Sequence, residues 1–275
     1  MVTLTLAFVA VLAVAAAAVW MIGASEKTYA VSEGDPHWFI AVRGEAGALA
    51  AGVITRWSSR ADFALIGAEE AYWHHFIVAS GGDPNHLPIS LANAEDAYVA
   101  RVKLRRPPPL LLGILKLLVW TGALSKPQSA TVADAQNLSF RADVMPGAKA
   151  ISNLLAQPSS YSPAMVNFLG YYKDARYSGR DEAVSGRVAY GRYGMVAMRT
   201  VYRTGGRLIF AGRVLAVLRE AKAGAAVGIW DDVAAMQYPT PHAILSMEHA
   251  PDYHAALDDR DAGLERTVVI ATTPI

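Results

Sequence analysis

The sequence predicts an α+β fold. A ferredoxin-like β-α-β-β-α-β domain spans 164–275, a degenerate related repeat precedes it, and a transmembrane helix precedes both. Three observations predict this. Roughly the last hundred residues alternate strand-period and helix-period patterns in that order. An aromatic pair recurs at one spacing, Trp57 to Tyr72 and Tyr238 to Tyr253, each pair starting after a strand pattern. Positions 1–25 carry no charged side chain, enough for the about 20 apolar residues that cross a bilayer.

The first element is that apolar stretch, Leu4 to Leu12 followed by an Ala/Val run to Trp20, whose ring suits a membrane interface. It is read as an anchor over 1–24. A cleaved signal peptide is the second reading, with Ile22-Gly23-Ala24 as a small-residue site, although no Lys or Arg precedes the run. A buried Ala-rich helix is the third. Lys27 follows the helix and no basic residue precedes it, which places the rest of the chain in the cytoplasm.

The degenerate repeat is expected over 30–106. Short strands at 38–42 and 48–57 flank Arg43-Gly44-Glu45. Ser59 opens a helical pattern through Phe63, Ile66 and Ala71 to about Phe76. Turn residues make 81–85 a loop. At 96–104, Tyr98, Ala100 and Val102 alternate with Arg101 and Lys103, a strand pattern. This copy keeps three strands and one helix, and packing the two sheets together covers the face each leaves open.

A connector is expected over 107–163. Pro107, Pro108 and Pro109 stop the strand, and 110–120 is apolar apart from Gly113 and Lys116. With Arg101, Lys103, Arg105 and Arg106 upstream it reads as a membrane-interfacial helix. It reads equally as a helix packed between domains. A short amphipathic helix near 148–156 stops at Pro158.

Over 164–275 the pattern is clearest. A strand at 165–172 leads to a helix at 182–204, in which Val184, Val188, Gly191, Met195, Met198 and Tyr202 share a face about 80° wide. Gly205-Gly206 ends it. Strands at 207–218 and 228–238 follow, with a turn at 222–226. Pro239 and Pro241 open a second helix, Pro251 interrupts it, Gly263 closes it, and 267–272 is the last strand.

Composition narrows the function. Apolar residues make up 53% and charged residues 18% of the 275, which is too apolar for a disordered chain. A net charge of +1 gives no global field to hold nucleic acid. Without cysteine there are no disulfides, thiolate nucleophiles or Cys-ligated metals. The seven histidines lack His-x-x-x-His spacing: His74 and His75 are adjacent, and Pro251 separates His242 and His249 from His254, so no metal is expected. No P-loop, GxGxxG, GxSxG or HExxH motif is present, and no cofactor is expected.

Several motifs in 164–275 occur together in order: Met165-Val166-Asn167-Phe168-Leu169, Tyr190-Gly191-Arg192-Tyr193-Gly194, Trp230-Asp231-Asp232-Val233, Met236-Gln237-Tyr238-Pro239, Tyr253, and Asp259-Arg260-Asp261-Ala262. In these the segment resembles the domain-of-unknown-function 1330 family. The resemblance implies a dimeric α/β barrel, formed either by two chains or by the two repeats of one chain, and implies no reaction. The anchor and the 110–120 segment depart from that family's soluble, single-domain pattern.

Candidate ligand contacts follow from buried polarity. Asn167 lies mid-strand among apolar residues, so its amide either bonds within the core or lines a pocket. One of Asp231 and Asp232 faces inward by alternation, with Arg260 as its expected charge partner. Arg192, Arg199 and Arg203 make a stripe that either meets an anionic ligand or lies solvated along apolar surface. Asn167, Tyr193, Arg199, Asp232, Tyr253 and Arg260 are the candidate set for a small apolar or anionic ligand. Tyr190, Tyr202, Met236 and Met247 belong to the core around it. The expected function is a membrane-anchored binding module. A cofactor-independent oxygenase or isomerase, or a structural subunit of a membrane complex, are the alternatives, and no catalytic residue is assigned.

Overall fold

A half-sheet left open would present unpaired backbone N–H and C=O groups along both edges. This chain avoids that by hydrogen-bonding its strands into one ring. The computed structural model describes residues 2–26, 36–127 and 144–275, with side chains from Val9 onward. Strands β1 (His37–Gly44), β2 (Val53–Ile66), β3 (His75–Gly81) and β4 (Ala94–Arg105) come first, and β5 (Ala164–Tyr171), β6 (Arg207–Arg219), β7 (Asp232–Gln237) and β8 (Leu264–Pro274) follow. They form a closed antiparallel barrel in the order β1-β3-β2-β8-β5-β7-β6-β4. Two seams join the early and late strands. At one, Ser59 to Ile66 of β2 pair with Val269 to Pro274 of β8; at the other, Val99 to Arg105 of β4 pair with Ala211 to Arg219 of β6.

The expected fold class is corrected accordingly. The strands of 30–106 and 164–275 make one eight-stranded sheet, not a ferredoxin-like domain and a separate repeat. The early part also lacks the expected helix at 59–76, because β2 runs through to Ile66. Its register slips at Thr55/Trp57, Ala61/Phe63 and Ala64/Ile66. Each slip changes which residues face inward. Trp57 and Ala61 therefore face the barrel interior, whereas Phe63, Leu65 and Ile66 face outward. That switch gives a strand an apolar spacing that imitates a helix. The aromatic repeat dissolves with it. Trp57 lies mid-strand and Tyr72 in a loop, while Tyr238 follows β7 and Tyr253 is helical.

Loops, not helices, cover the outer face of the early strands. Trp38, Ile40, Val42, Ala79, Ala97 and Val99 pack beneath Leu49, Ile89 and Leu91, and a bridge between Leu49 and Ile89 ties the two loops together. Inside the barrel, Phe168 touches Phe39, Phe76, Tyr98 and Trp230 at centroid distances of 5.3, 6.3, 5.8 and 5.6 Å. The space expected to hold a ligand between two sheets is thus occupied by aromatic side chains.

Six helices lie outside the barrel among the described residues: α1 (Val2–Ala24), α2 (Pro109–Trp120), α3 (Ala148–Leu155), α4 (Gly186–Arg203), α5 (Pro241–Leu245) and α6 (Pro251–Gly263). Ser185 caps α4 by accepting from Val188 N, and Gly205, at φ +84°, ends it. Thr240 caps α5 in the same way, with Pro241 in the first turn. A single 3₁₀ turn, Ser246–His249, links α5 to α6.

Among the described residues no helix is long and apolar enough to cross a membrane. Helix α1 packs along α2 through its C-terminal turns. A Cβ on Gly23 would fall inside the radius of the Pro109 carbonyl oxygen, and one on Gly113 inside that of Val19. Lys116 of α2 forms an ion pair with Glu26, and Arg106 Nη2 donates to the Ala24 carbonyl at 2.8 Å. The transmembrane anchor, the membrane localisation and the cytoplasmic side inferred from it are corrected on this finding. The 110–120 segment, now α2, buries Leu112 and Leu115 against Tyr202 and Met198 of α4.

Candidate functional site

The strict alternation of β5 divides its side chains between two environments. Val166 and Phe168 point into the barrel. Met165, Asn167 and Leu169 point outward, under α4 and α6. Between that wall and the helices lies a cavity of about 330 Å³, within the range of small-molecule sites. Its walls are mainly apolar, with Leu65, Met165, Val201, Leu208, Met236 and Met247 among them. It reaches the surface beside Gly191, which is exposed.

Polar groups gather at two places. At the first, Tyr193 and Tyr253 hydroxyls lie 2.9 Å apart and buried. Arg260, 6% exposed, donates to Met145 Sδ at 2.9 Å and to the Val144 carbonyl, with its guanidinium 5.8 Å from the Tyr193 ring. Glu248, in the 3₁₀ turn, completes this group. Its Oε2 is sealed from solvent without a hydrogen-bond partner, although the residue as a whole is only half-buried. Burial pushes the carboxyl up to about 7, against the opposing pull of Arg260. Burial likewise raises both phenols, holding them as neutral donors.

The second group is ionic. Arg187 of α4 donates to Asp232 Oδ1 at 2.7 Å and to Asp231 Oδ1 at 3.0 Å, and the Tyr171 hydroxyl reaches Asp232 Oδ2 at 3.0 Å. Arg105 stands 3.8 Å from the same carboxylate. Arg187 is therefore the partner of Asp231 and Asp232, and the expected pairing with Arg260 is corrected. Arg260, in the last turn of α6, is turned instead toward Val144 and Met145.

Of the six candidate residues, the fold brings Asn167, Tyr193, Asp232, Tyr253 and Arg260 to this cavity. Asn167 Nδ2 donates to the Met165 carbonyl at 2.8 Å, which fixes its amide. Arg199 does not line the cavity: it pairs with Asp252, which also accepts from Arg203 at 3.0 Å. Arg192 pairs with Glu182 at 2.6 Å. The arginine stripe is thus spent on ion pairs of the helix layer. Glu248, Tyr190 and Arg187 were not in the candidate set. A lone acid directly after the mainly apolar run Ile244-Leu245-Ser246-Met247 was the available signal for Glu248. Among the described residues, no group of three or more His, Cys, Asp or Glu is placed to hold a metal ion.

Two glycines shape the opening. Gly191 and Gly194 line the cavity from α4, and a Cβ on either would meet nothing within 4 Å. Neither is required by close packing, and a glycine inside a helix costs about 1 kcal/mol relative to alanine. Gly194→Ala is accordingly expected to stabilise the protein by about 1 kcal/mol, read from chemical denaturation. A destabilised variant would show that the backbone here needs glycine.

No family model matches the chain, and no curated protein matches it. Among solved structures, a protein of unknown function from Rhodopseudomonas palustris is similar over 47% of this chain and 95% of its own, at 25% identity and a TM-score of 0.41. A structure of that protein in methylated form gives 26% identity over 47% of this chain and 93% of its own, with the same TM-score.

Proposed function

We propose that the protein binds one small, mainly apolar molecule in the crevice between α4, α6 and the outer wall of β5, β7 and β8. The observation that carries this is the combination of an apolar cavity open to the surface with a few convergent polar groups, Asn167, Tyr193, Tyr253, Arg260 and Glu248. Apolar walls supply the free energy of uptake, and the polar groups fix orientation. The two wall glycines support the same reading, since each leaves room where a larger residue would raise helix stability. The resemblance to the domain-of-unknown-function 1330 family belongs to this proposal as a statement about ancestry and adds no reaction to it.

The test uses a neutral apolar probe, N-phenyl-1-naphthylamine, whose fluorescence rises on leaving water. Wild type is expected to bind one probe per chain. Gly194→Leu places a side chain in the cavity mouth and is expected to weaken binding at least about tenfold, roughly 1.4 kcal/mol, without lowering stability. Unchanged affinity would place the probe elsewhere, on exposed side chains such as Leu111 and Trp120, and would sink the proposal.

A further inference from the structure

We propose that the crevice is catalytic, with Glu248 moving a proton between two carbon atoms of a small apolar ketone while the Tyr193–Tyr253 hydroxyl pair donates to the ketone oxygen. This rests on the binding reading above and adds the chemistry of the ligand.

Three features of the site lead to it. Glu248 lines the apolar cavity, and its Oε2 is buried without a hydrogen-bond partner. An unsatisfied buried acceptor costs about 1–3 kcal/mol and calls for an explanation, of which a catalytic role is one. Next, in a two-phenol pair one hydroxyl donates to the other, and the acceptor keeps its own O–H for a further bond. Arg260 stands behind this pair as a buried cation, so negative charge growing on an oxygen at the hydroxyls is favoured. Finally, the walls offer apolar contacts around these groups, which selects an uncharged substrate and strengthens electrostatics inside the cavity.

A carboxylate base and a neutral donor in a water-poor pocket are the two groups that enolisation requires. Glu248 takes a proton from the carbon next to the carbonyl. The C–H electron pair becomes the new C=C bond, and the carbonyl π pair moves to oxygen, where the phenol pair stabilises it. The protonated Glu248 then returns its proton to the same carbon or, where the ketone carries a β,γ double bond, to the γ-carbon as that double bond shifts to the α,β position, and the C=O bond re-forms. Nothing is oxidised or reduced and no group leaves, so the balance needs no co-reactant. With its carboxyl pushed up to about 7, Glu248 is suited to accept and return a proton near neutral pH.

The experiment is solvent deuterium exchange into the CH₂ beside the carbonyl of 1-tetralone, followed by NMR in D₂O with the full-length protein. Saturation transfer from protein to ketone is measured in the same tube. Wild type is expected to exchange the position about a hundredfold faster than Glu248→Gln, with equal saturation transfer in both. Glu248→Asp is expected to recover part of the rate, and Tyr253→Phe to lose about tenfold or more. Equal exchange in wild type and Glu248→Gln, with the ketone in contact with both, would overturn the catalytic role and leave the binding reading standing. A ketone with no saturation transfer from wild type would overturn both.

Discussion

Gly263→Ala is expected to lose about 3 kcal/mol of stability, the upper end of what overpacking a close contact costs. The reason is local and steric. Gly263 ends α6 where it meets the start of α4, and a Cβ there would lie 2.6 Å from Tyr190 N and still closer to the Gly186 carbonyl oxygen. Gly186 is caught in the same junction, between Tyr172 and Gly263. The carbonyl of Gly263 accepts from Tyr172 N at 3.1 Å, and Gly186 N donates to the Tyr172 carbonyl at 3.1 Å. Because the obstacles are backbone atoms, no rotamer change can make room. The helices must separate, and that separation parts Tyr193 on α4 from Tyr253 on α6. The urea midpoint should therefore fall, and the probe affinity of the crevice with it. A variant within about 0.5 kcal/mol of wild type would mean that the junction yields more easily than its geometry implies.

Glu248→Gln is expected to stabilise the protein, increasingly so as pH rises. In the folded chain the Glu248 carboxyl is raised from 4.5 to about 7, so folding favours its protonated form. Stability from this group is full below about 4.5, the unfolded value, and is lost as pH rises through 7. Glutamine has no proton to lose and keeps the neutral shape throughout. The gain over wild type should grow from near pH 4.5 and level off above 7, reaching roughly 1–3 kcal/mol, with the shift taken at 1.36 kcal/mol per unit as the ceiling. Arg260, Tyr193 and Tyr253 face the same region, but the guanidinium stays charged and burial holds both phenols neutral across this window. Denaturation midpoints of both proteins at pH 5 and pH 8 check it. A gap that narrows toward pH 8 would sink the assignment. A stabilised but inactive Glu248→Gln would be a stability–activity trade-off of the kind found where a site is strained.

Positions of individual strands and helices in 164–275 were legible because each has its own punctuation. Gly205, Pro241, Pro251 and Gly263 mark helix ends by local chemistry that sequence displays directly, whereas the caps Ser185 and Thr240 emerge from the structure. A barrel entered only as what the family resemblance implies, and the strand pairings that close it were not legible. Closure depends on β2 and β4 finding β8 and β6 far along the chain, and no residue pattern in either strand names its partner. The bulges of β2 hid a strand behind helix-like spacing, and the close approach of α1 to α2 turns on two glycines whose role appears only in three dimensions. The candidate site divided in the same way. Asn167 stood out as a polar group among apolar strand residues, whereas Tyr193 and Tyr253 entered through the motifs of the family resemblance. Glu248 lay in a one-turn 3₁₀ helix, too short for any periodicity to show which way its carboxylate points.

The seam between β2 and β8 also bears on how the protein is made. Residues 264–274 leave the ribosome roughly two hundred residues after the strand they pair with, so that edge of β2 waits through most of synthesis; pairings this distant make folding slow and leave strand edges open to other chains. During that interval charged side chains, rather than β8, guard the nascent edge. Within the stretch that pairs with β8, β2 carries the exposed Arg60, placing charge on a strand that spends longest without its neighbour.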